Sequence, residues 1–377
     1  MNFELTDEQH LLQDSVLRFA RDHYDFSAWR NRVGRGEGFD RGLWKQMADL
    51  GWLSLTAPQE DGGLGGSPVD TMVIMEGVGR ALMLEPFVAS AVFAPTLLPR
   101  LAGPERGDLM AAVMAGEVVV TLADAEPEGR FDLAAVSTRA ERTEAGFRLK
   151  GEKSHALDGA EADWFVVPAR TSGEGSQEAG ITLFLVARDA PGLTVHGVRA
   201  MDHRRNAGLS LDGVEVTAGA VIGEVDQGLG LARHAVDLAI VARLAEAVGA
   251  MEAAYEQTLQ HLKTRKQFGQ AIGSFQSLQH RAVDMAIACE EARSMTYLAT
   301  IAVSSPDPEN RRAIAAAKTR VGQTGLYVAR QAVQLHGGMG FSDELAIGHY
   351  LKRLVMIDLA FGNAAEHRRR FAAARAA

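Results

Sequence analysis

The sequence predicts an α+β chain in three parts: helical over residues 1–115, β-rich over 116–222 and helical again over 223–377. Three observations predict it. Apolar residues keep a 3.6-residue period in long segments towards both ends. The middle holds short β-rich runs separated by Gly, Asp and Pro. Those runs do not alternate with helical segments, as they would in a parallel α/β chain.

In chain order, Thr6 followed by Gln9 reads as a capping box that opens a helix with Leu11, Leu12, Val16 and Phe19 turned inward. Another helix is expected near Leu43–Leu50. The Gly-dense run from Ala57 to Pro68 reads as a loop, with periodic segments after it over Val69–Leu84 and Phe87–Leu101. Strands are expected at Val118–Leu122, Phe147–Lys150, Trp164–Val167, Ile181–Val186 and Leu209–Val216, forming an antiparallel sheet or small barrel. Arg170–Gly180 is a Gly/Ser/Glu loop between two of them. Leu238, Val241, Leu244, Val248, Met251, Tyr255, Leu259 and Leu262 then mark one long helix. Ile314, Ala317, Val321, Gly325, Val328, Ala332 and Leu335 mark another. Ser304-Ser305-Pro306-Asp307-Pro308 ends the helix between them. Long Ala-rich helices with short breaks indicate an antiparallel bundle whose small residues suit close contacts, between subunits as well.

Composition narrows the functional classes. The net charge is −9 over 377 residues, and the sequence pI is near 5.7. Such an acidic chain lacks the dense cationic surface that phosphate backbones require. Cys289 is the single cysteine, so an intramolecular disulfide and a Cys-based zinc site are excluded and a reducing, cytoplasmic setting is expected. The N-terminus has no signal-peptide pattern, and the richest apolar stretch, Val236–Val248, is broken by Asp237, Arg243 and Glu246, so no membrane span is expected. His234, His280, His336 and His349 show no metal-ligand spacing, and no metal is expected.

Two motifs carry chemistry. In Arg265-Lys266-Gln267-Phe268-Gly269, followed by Phe275-Gln276, a helix ends in a cation, an amide, an aromatic and a glycine, then restarts. Arginine offers a fork of donors to phosphate and an aromatic packs on planar rings. A plain helix C-cap accounts for Gly269 equally well. In Gln334-Leu335-His336-Gly337-Gly338-Met339-Gly340-Phe341, three glycines follow a long helix. Such a loop receives a pyrophosphate through backbone N–H groups, although one glycine suffices for a cap. No Walker motif or strand-linked GxGxxG occurs, which argues against a Rossmann site.

This layout resembles the acyl-CoA dehydrogenase flavoprotein family over essentially the whole chain. The resemblance rests on the Pro58…Gly62-Gly63-Leu64-Gly65 loop, Gly151-Glu152-Lys153, Asp212-Gly213-Val214-x-Val216, Arg265-x-Gln267-Phe268-Gly269 and Gln334-x-x-Gly337-Gly338-x-Gly340, in that order. Within the family, Met1–Tyr24 and the stretch from Gly348 to Phe361 look most like the small subunit of pimeloyl-CoA dehydrogenase. The resemblance implies an N-terminal helical domain, a middle antiparallel β-barrel or sandwich and a C-terminal four-helix bundle. It further implies FAD, α,β-dehydrogenation of an acyl-CoA thioester in β-oxidation of fatty or dicarboxylic acids, a tetramer and electron-transfer flavoprotein as acceptor. FAD in this family lies between subunits. By motif match, Arg265, Gln267, Phe268, Gln276, Gln334, Gly337 and Gly338 face the neighbour's cofactor, Asn363 belongs to the cofactor set and Asp237 falls where members contact CoA.

The chain departs from the family at the chemistry. The usual glutamate base precedes Gly-Thr, but here the triplet is Phe361-Gly362-Asn363. Some members carry the base on the first long C-terminal helix, where this chain has Ala239. The implied oxyanion contact from the backbone N–H of residue 361 survives, whereas phenylalanine accepts no proton. Glu246, Asp358 and Glu366 are the nearest carboxylates, with Asp358 the weak substitute and helix packing the plainer reading of all three. The flavin-ring segment Lys-x-Trp-Ile-Thr-Asn is here Lys153-Ser154-His155-Ala156-Leu157-Asp158, and Thr-Glu-Pro is Ala125-Glu126-Pro127 after Asp124. A degraded half-site for its own flavin beside an intact one for a neighbour suggests the base-lacking subunit of an α2β2 enzyme. Three readings stay open beside it: a self-sufficient homotetramer with an unconventional base, a flavin-dependent oxygenase of the same fold and a non-catalytic scaffold paralogue. Whether the acyl group is medium-chain, dicarboxylic or ring-derived is also open.

Overall fold

A computed structural model describes residues 4–305 and 307–374. Residues 1–3, Pro306 of the expected helix break, and residues 375–377 lie outside the described residues. The helices are α1 (Asp7–His23), α2 (Phe26–Gly34), α3 (Arg41–Asp49), α4 (Pro68–Arg80), α5 (Ala94–Leu97), α6 (Arg106–Met114), α7 (Gly228–Thr264), α8 (Gln276–Ala302), α9 (Pro308–His336), α10 (Ala346–Leu359) and α11 (Ala364–Ala373). The strands are β1 (Val120–Leu122), β2 (Arg139–Arg142), β3 (Gly146–Ala156), β4 (Trp164–Arg170), β5 (Ile181–Ala187), β6 (Leu193–Arg199), β7 (Arg205–Thr217), β8 (Val221–Ile222), β9 (Lys266–Gln267) and β10 (Gln270–Ala271). The chain divides into two compact units: Met1–Glu37 with Pro68–Met83 and Ile240–Ala377, and Gly38–Ser67 with Leu84–Ala239. No helix among the described residues is long and apolar enough to cross a membrane.

In the first unit the capping box forms as expected: the Gln9 N–H donates to Thr6 Oγ1 at 3.3 Å and the Thr6 N–H to Gln9 Oε1 at 3.0 Å. Val16 and Phe19 are buried, but Leu11 is 69% exposed and Leu12 half-buried, which corrects the expected inward face. Five residues before Val16, Leu11 points ~140° away around the helix, while Val16 packs tightly on Gly77 of α4. α7 departs from a simple amphipathic helix, because every residue from Ala239 to Met251 is buried. It crosses α4 at two glycines: a Cβ on Gly249 would lie 1.8 Å from the Glu76 carbonyl oxygen, and one on Gly79 would lie 1.9 Å from that of Glu246. α9 buries Ile314, Ala317, Val321, Val328, Ala332 and Leu335 as its period predicts, and packs on α8, α10 and α11.

The second unit is built on one sheet, ordered β6-β7-β3-β2-β4-β5-β8 with β1 paired to β4. Phe147, Leu149, Phe165, Phe184, Leu209 and Val214 form its core. The sheet is not wholly antiparallel as expected. β1 runs parallel to β4, in register from Val120↔Trp164 to Leu122↔Val166. The connection between them contains the whole β2–β3 hairpin, long enough to bring the chain back to the same end. β2 and the edge strand β6, both largely exposed, were absent from the expected strands. The Arg170–Gly180 loop wraps a buried Arg170, whose guanidinium donates to the carbonyls of Gly175 (2.8 Å), Gln177 (3.1 Å) and Ala179 (3.1 Å) and to those of Ala134 and Val136.

Candidate functional site

In the first unit the two sequence motifs become two loops at helix ends. After α7, β9 and β10 make a hairpin in which Gln267 pairs with Gln270. Its two turn residues, Phe268 (φ 55°) and Gly269 (φ 81°), are both left-handed, which suits a two-residue hairpin turn. For phenylalanine that conformation costs roughly 1–2 kcal/mol. The ring is nevertheless 91% exposed, with only an edge contact to Phe275 at 6.1 Å. Burial within the unit therefore does not offset the strain. Arg265, Gln267 and Gln276 are exposed beside it, and Arg265 has no carboxylate partner among the described residues. No side chain caps the start of α8 at Gln276, which leaves a helix N-terminus open to an anion.

The second loop ends α9. Gly340 is required by packing, since a Cβ there would lie 2.4 Å from the Val333 carbonyl oxygen, and Gly337 by its φ of 61°. Gly338 has neither reason. Its φ is not left-handed and a Cβ there would meet nothing within 4 Å. The surface above Gly337 and Gly338 is open, with Gln334, Met339 and Phe341 exposed around it. The two loops are joined at their base, where the imidazoles of His261 and His336 stack at 4.3 Å.

The turn between α10 and α11 is of the opposite kind. Phe361 is buried and left-handed (φ 57°), and its carbonyl accepts the Nε2–H of buried His367 at 3.1 Å. Burial, then Arg370 and Lys318, push the His367 imidazole down to about 3, so it is neutral. Lys318 is buried and donates to the carbonyls of Ile357 and Asp358, the latter at 3.0 Å; burial pushes it down to about 7 against the pull of Asp358. Asp358 accepts the Ala364 N–H at 3.1 Å and lies against Gly322. Asn363 caps α11 by accepting the Glu366 N–H at 3.0 Å, and Glu366 pairs with Arg369 and Arg370. Glu246 is wholly buried between Arg243 and Arg353, the latter at 2.6 Å. Each of the three carboxylates singled out in the sequence, Glu246 on α7 among them, is thus engaged in holding the fold.

In the second unit, Lys153 and Glu126 form a buried pair at 2.5 Å, with Glu126 also accepting the N–H groups of Ser137 (2.6 Å) and Thr138 (3.1 Å). Burial alone raises the Glu126 carboxyl, but Lys153 and these donors outweigh it and hold it below its ordinary value. Next to the pair, His155 Nδ1 lies 3.9 Å from Asp124 Oδ1. Leu157 is buried and offers no hydroxyl. On α7, Asp237 is half-buried and Ala239 fully buried. Sequence reasoning missed the His261–His336 stack and the Arg243–Glu246–Arg353 cluster. The charges interrupting the apolar run Val236–Val248 were a usable signal for the cluster.

The exposed strained aromatic, the open glycine pair, the uncapped helix start and the unpaired guanidinium are suited to the adenine and pyrophosphate half of a dinucleotide such as FAD. The Asp124–Leu157 region is a poorer match to a flavin ring, lacking the tryptophan and threonine. Comparison with known proteins gives the family. The chain matches the acyl-CoA dehydrogenase N-terminal, middle and C-terminal domain models over residues 6–101, 121–214 and 226–376. "Probable acyl-CoA dehydrogenase YngJ" of Bacillus subtilis is 28% identical over 371 residues, 96% of each chain. Acyl-CoA dehydrogenase FadE27 of Mycobacterium tuberculosis is 29% identical over 342 residues, 88% of this chain and 87% of that one. A chain of the solved ChsE4–ChsE5 complex from Mycobacterium tuberculosis is 28% identical with a TM-score of 0.89, covering 100% of this chain and 99% of that one. The chain belongs to the acyl-CoA dehydrogenase family.

Proposed function

We propose that this chain is the base-lacking subunit of a heteromeric, FAD-dependent acyl-CoA dehydrogenase. It lends the Arg265–Gly269 and Gln334–Gly338 loops to a cofactor whose ring end is held by a homologous subunit, and that subunit carries the proton-abstracting carboxylate. The observation that carries this reading is a contrast within one unit. Phe268 is strained and 91% exposed where a cofactor would meet it, while Phe361 stands where the base is expected and the carboxylates flanking it, Asp358 and Glu366, are hydrogen-bonded or ion-paired. The similarity to a chain of the ChsE4–ChsE5 complex supports a partner of related sequence.

Bound in such a site, FAD supplies the hydride acceptor for α,β-dehydrogenation. This chain's residues bind and orient. Arg265 donates its fork to phosphate oxygens, Phe268 packs on a planar ring, and Gly337 and Gly338 let the backbone approach. Gln267, Gln276 and Gln334 offer amides to the same ligand. Asp237 contacts the CoA portion. Asn363, which the motif match assigns to the cofactor set, also caps α11 and so shapes the Phe361 turn.

The test is turnover of acyl-CoA thioesters with an artificial electron acceptor, pimeloyl-CoA included, by the purified chain alone and mixed with a homologous subunit that has the glutamate. The expected result is no turnover alone and turnover in the mixture, with flavin retention weakened by Arg265→Ala in this chain. Full turnover by the lone chain overturns the reading.

A further inference from the structure

The His261–His336 stack has a consequence for how the two loops bind. His261 lies in the last turn of α7, just before Arg265, and His336 is the last residue of α9, directly before Gly337. Their rings are 4.3 Å apart and 27° from parallel. His336 Nδ1–H donates to the Ala332 carbonyl at 2.8 Å, which leaves its Nε2 as the acceptor. His336 is buried and His261 half-buried. Two imidazoles this close do not both hold a proton, since like charges at that distance repel strongly.

We propose that the stacked pair His261–His336 takes up a single proton beneath the two loops, so that a pyrophosphate diester binds this chain together with one proton. The inference rests on the reading of these loops as a phosphate-binding surface. In the free chain, the groups acting on His261 are first its burial, then His336 on α9 and Arg265 just past the end of α7, and all three disfavour its charged form. On His336 burial acts first, opposed by the Ala332 carbonyl. No carboxylate among the described residues acts on either ring. An arriving phosphate diester neutralises Arg265 and supplies the missing anion, so the pair takes up a proton that the free chain does not hold. Affinity therefore rises as the pH falls through the window between the bound and free values.

The probe is ADP-ribose, whose pyrophosphate diester does not itself titrate near neutral pH. Calorimetry on the full chain in two buffers of different ionisation enthalpy counts the protons taken up. The expected result at about pH 6.5 is uptake approaching one proton per site, with affinity falling severalfold by about pH 8. His261→Phe keeps a ring against His336 but carries no proton. It should lose most of the uptake and flatten the pH dependence. His336→Phe should do the same, so the result does not hang on one variant folding. ADP-ribose binding that Arg265→Ala abolishes, but with no proton uptake or with uptake unchanged in both Phe variants, overturns the proposal and leaves the loop reading standing. No ADP-ribose binding at any pH overturns both.

Discussion

Within the first unit, the α7 and α9 loops and the α10–α11 turn solve opposite problems. The loops hold Arg265, Gln267, Phe268, Gln276 and Gln334 out to solvent, with a left-handed phenylalanine and a glycine that no packing demands. Around the turn and the α10 helix before it, the charged groups are engaged internally: Glu246 of α7 between Arg243 and Arg353, Asp358 on the Ala364 N–H, Lys318 on two carbonyls and His367 on Phe361. The difference teaches where chemistry is available. A group already holding the fold is not free to act on a substrate, whereas strain and exposure without an internal reason point to something outside the chain.

The sharpest way to break the comparison is to disturb the buried charges between α7 and α10. Glu246→Ala leaves Arg243 and Arg353 buried without their counter-charge and should cost about 3–5 kcal/mol in chemical denaturation. A loss under about 1 kcal/mol would show that the carboxylate is not a structural element. The same substitution strategy in the loops should leave stability alone. Arg265→Ala should shift unfolding by less than about 0.5 kcal/mol, yet weaken retention of flavin by the assembled enzyme about tenfold to a hundredfold, as loss of a charge-assisted phosphate contact does.

A pH prediction follows from His367. Its native imidazole is held down to about 3 by burial and neighbouring cations, against an ordinary value near 6.5. The unfolded chain therefore binds a proton between those values and the native chain does not. Stability should fall as pH drops below about 6.5, at no more than about 1.4 kcal/mol per pH unit from this group. Urea midpoints from about pH 7 to 5 check it, with His367→Gln reducing the slope. The smallest effect is expected at Asp358→Asn, since asparagine still accepts the Ala364 N–H. Stability should change by less than about 1 kcal/mol and turnover of the assembled enzyme by less than about twofold. Loss of turnover there would identify Asp358 as a base and join the turn to the chemistry.

The loops were legible in the sequence and the turn was not, for a physical reason. A glycine motif beside an arginine and an aromatic is local, so adjacent residues reveal it. Glu246 finds Arg353 at a separation of 107 residues, a partner no periodicity discloses. The capping box at Thr6 and the buried stripe of α9 were likewise local and formed as read. The exposed Leu11, the parallel β1–β4 pairing and the polar strands β2 and β6 were not legible, because tertiary neighbours decide which face is buried and how a long connection returns.

The most direct test of the half-site account is the flavin content per chain, from absorbance at about 450 nm, of the purified chain alone and of its complex with a homologous subunit. The account predicts a colourless lone chain and about one FAD per two chains in the complex. A lone chain carrying one FAD per protomer that bleaches on addition of an acyl-CoA would contradict it.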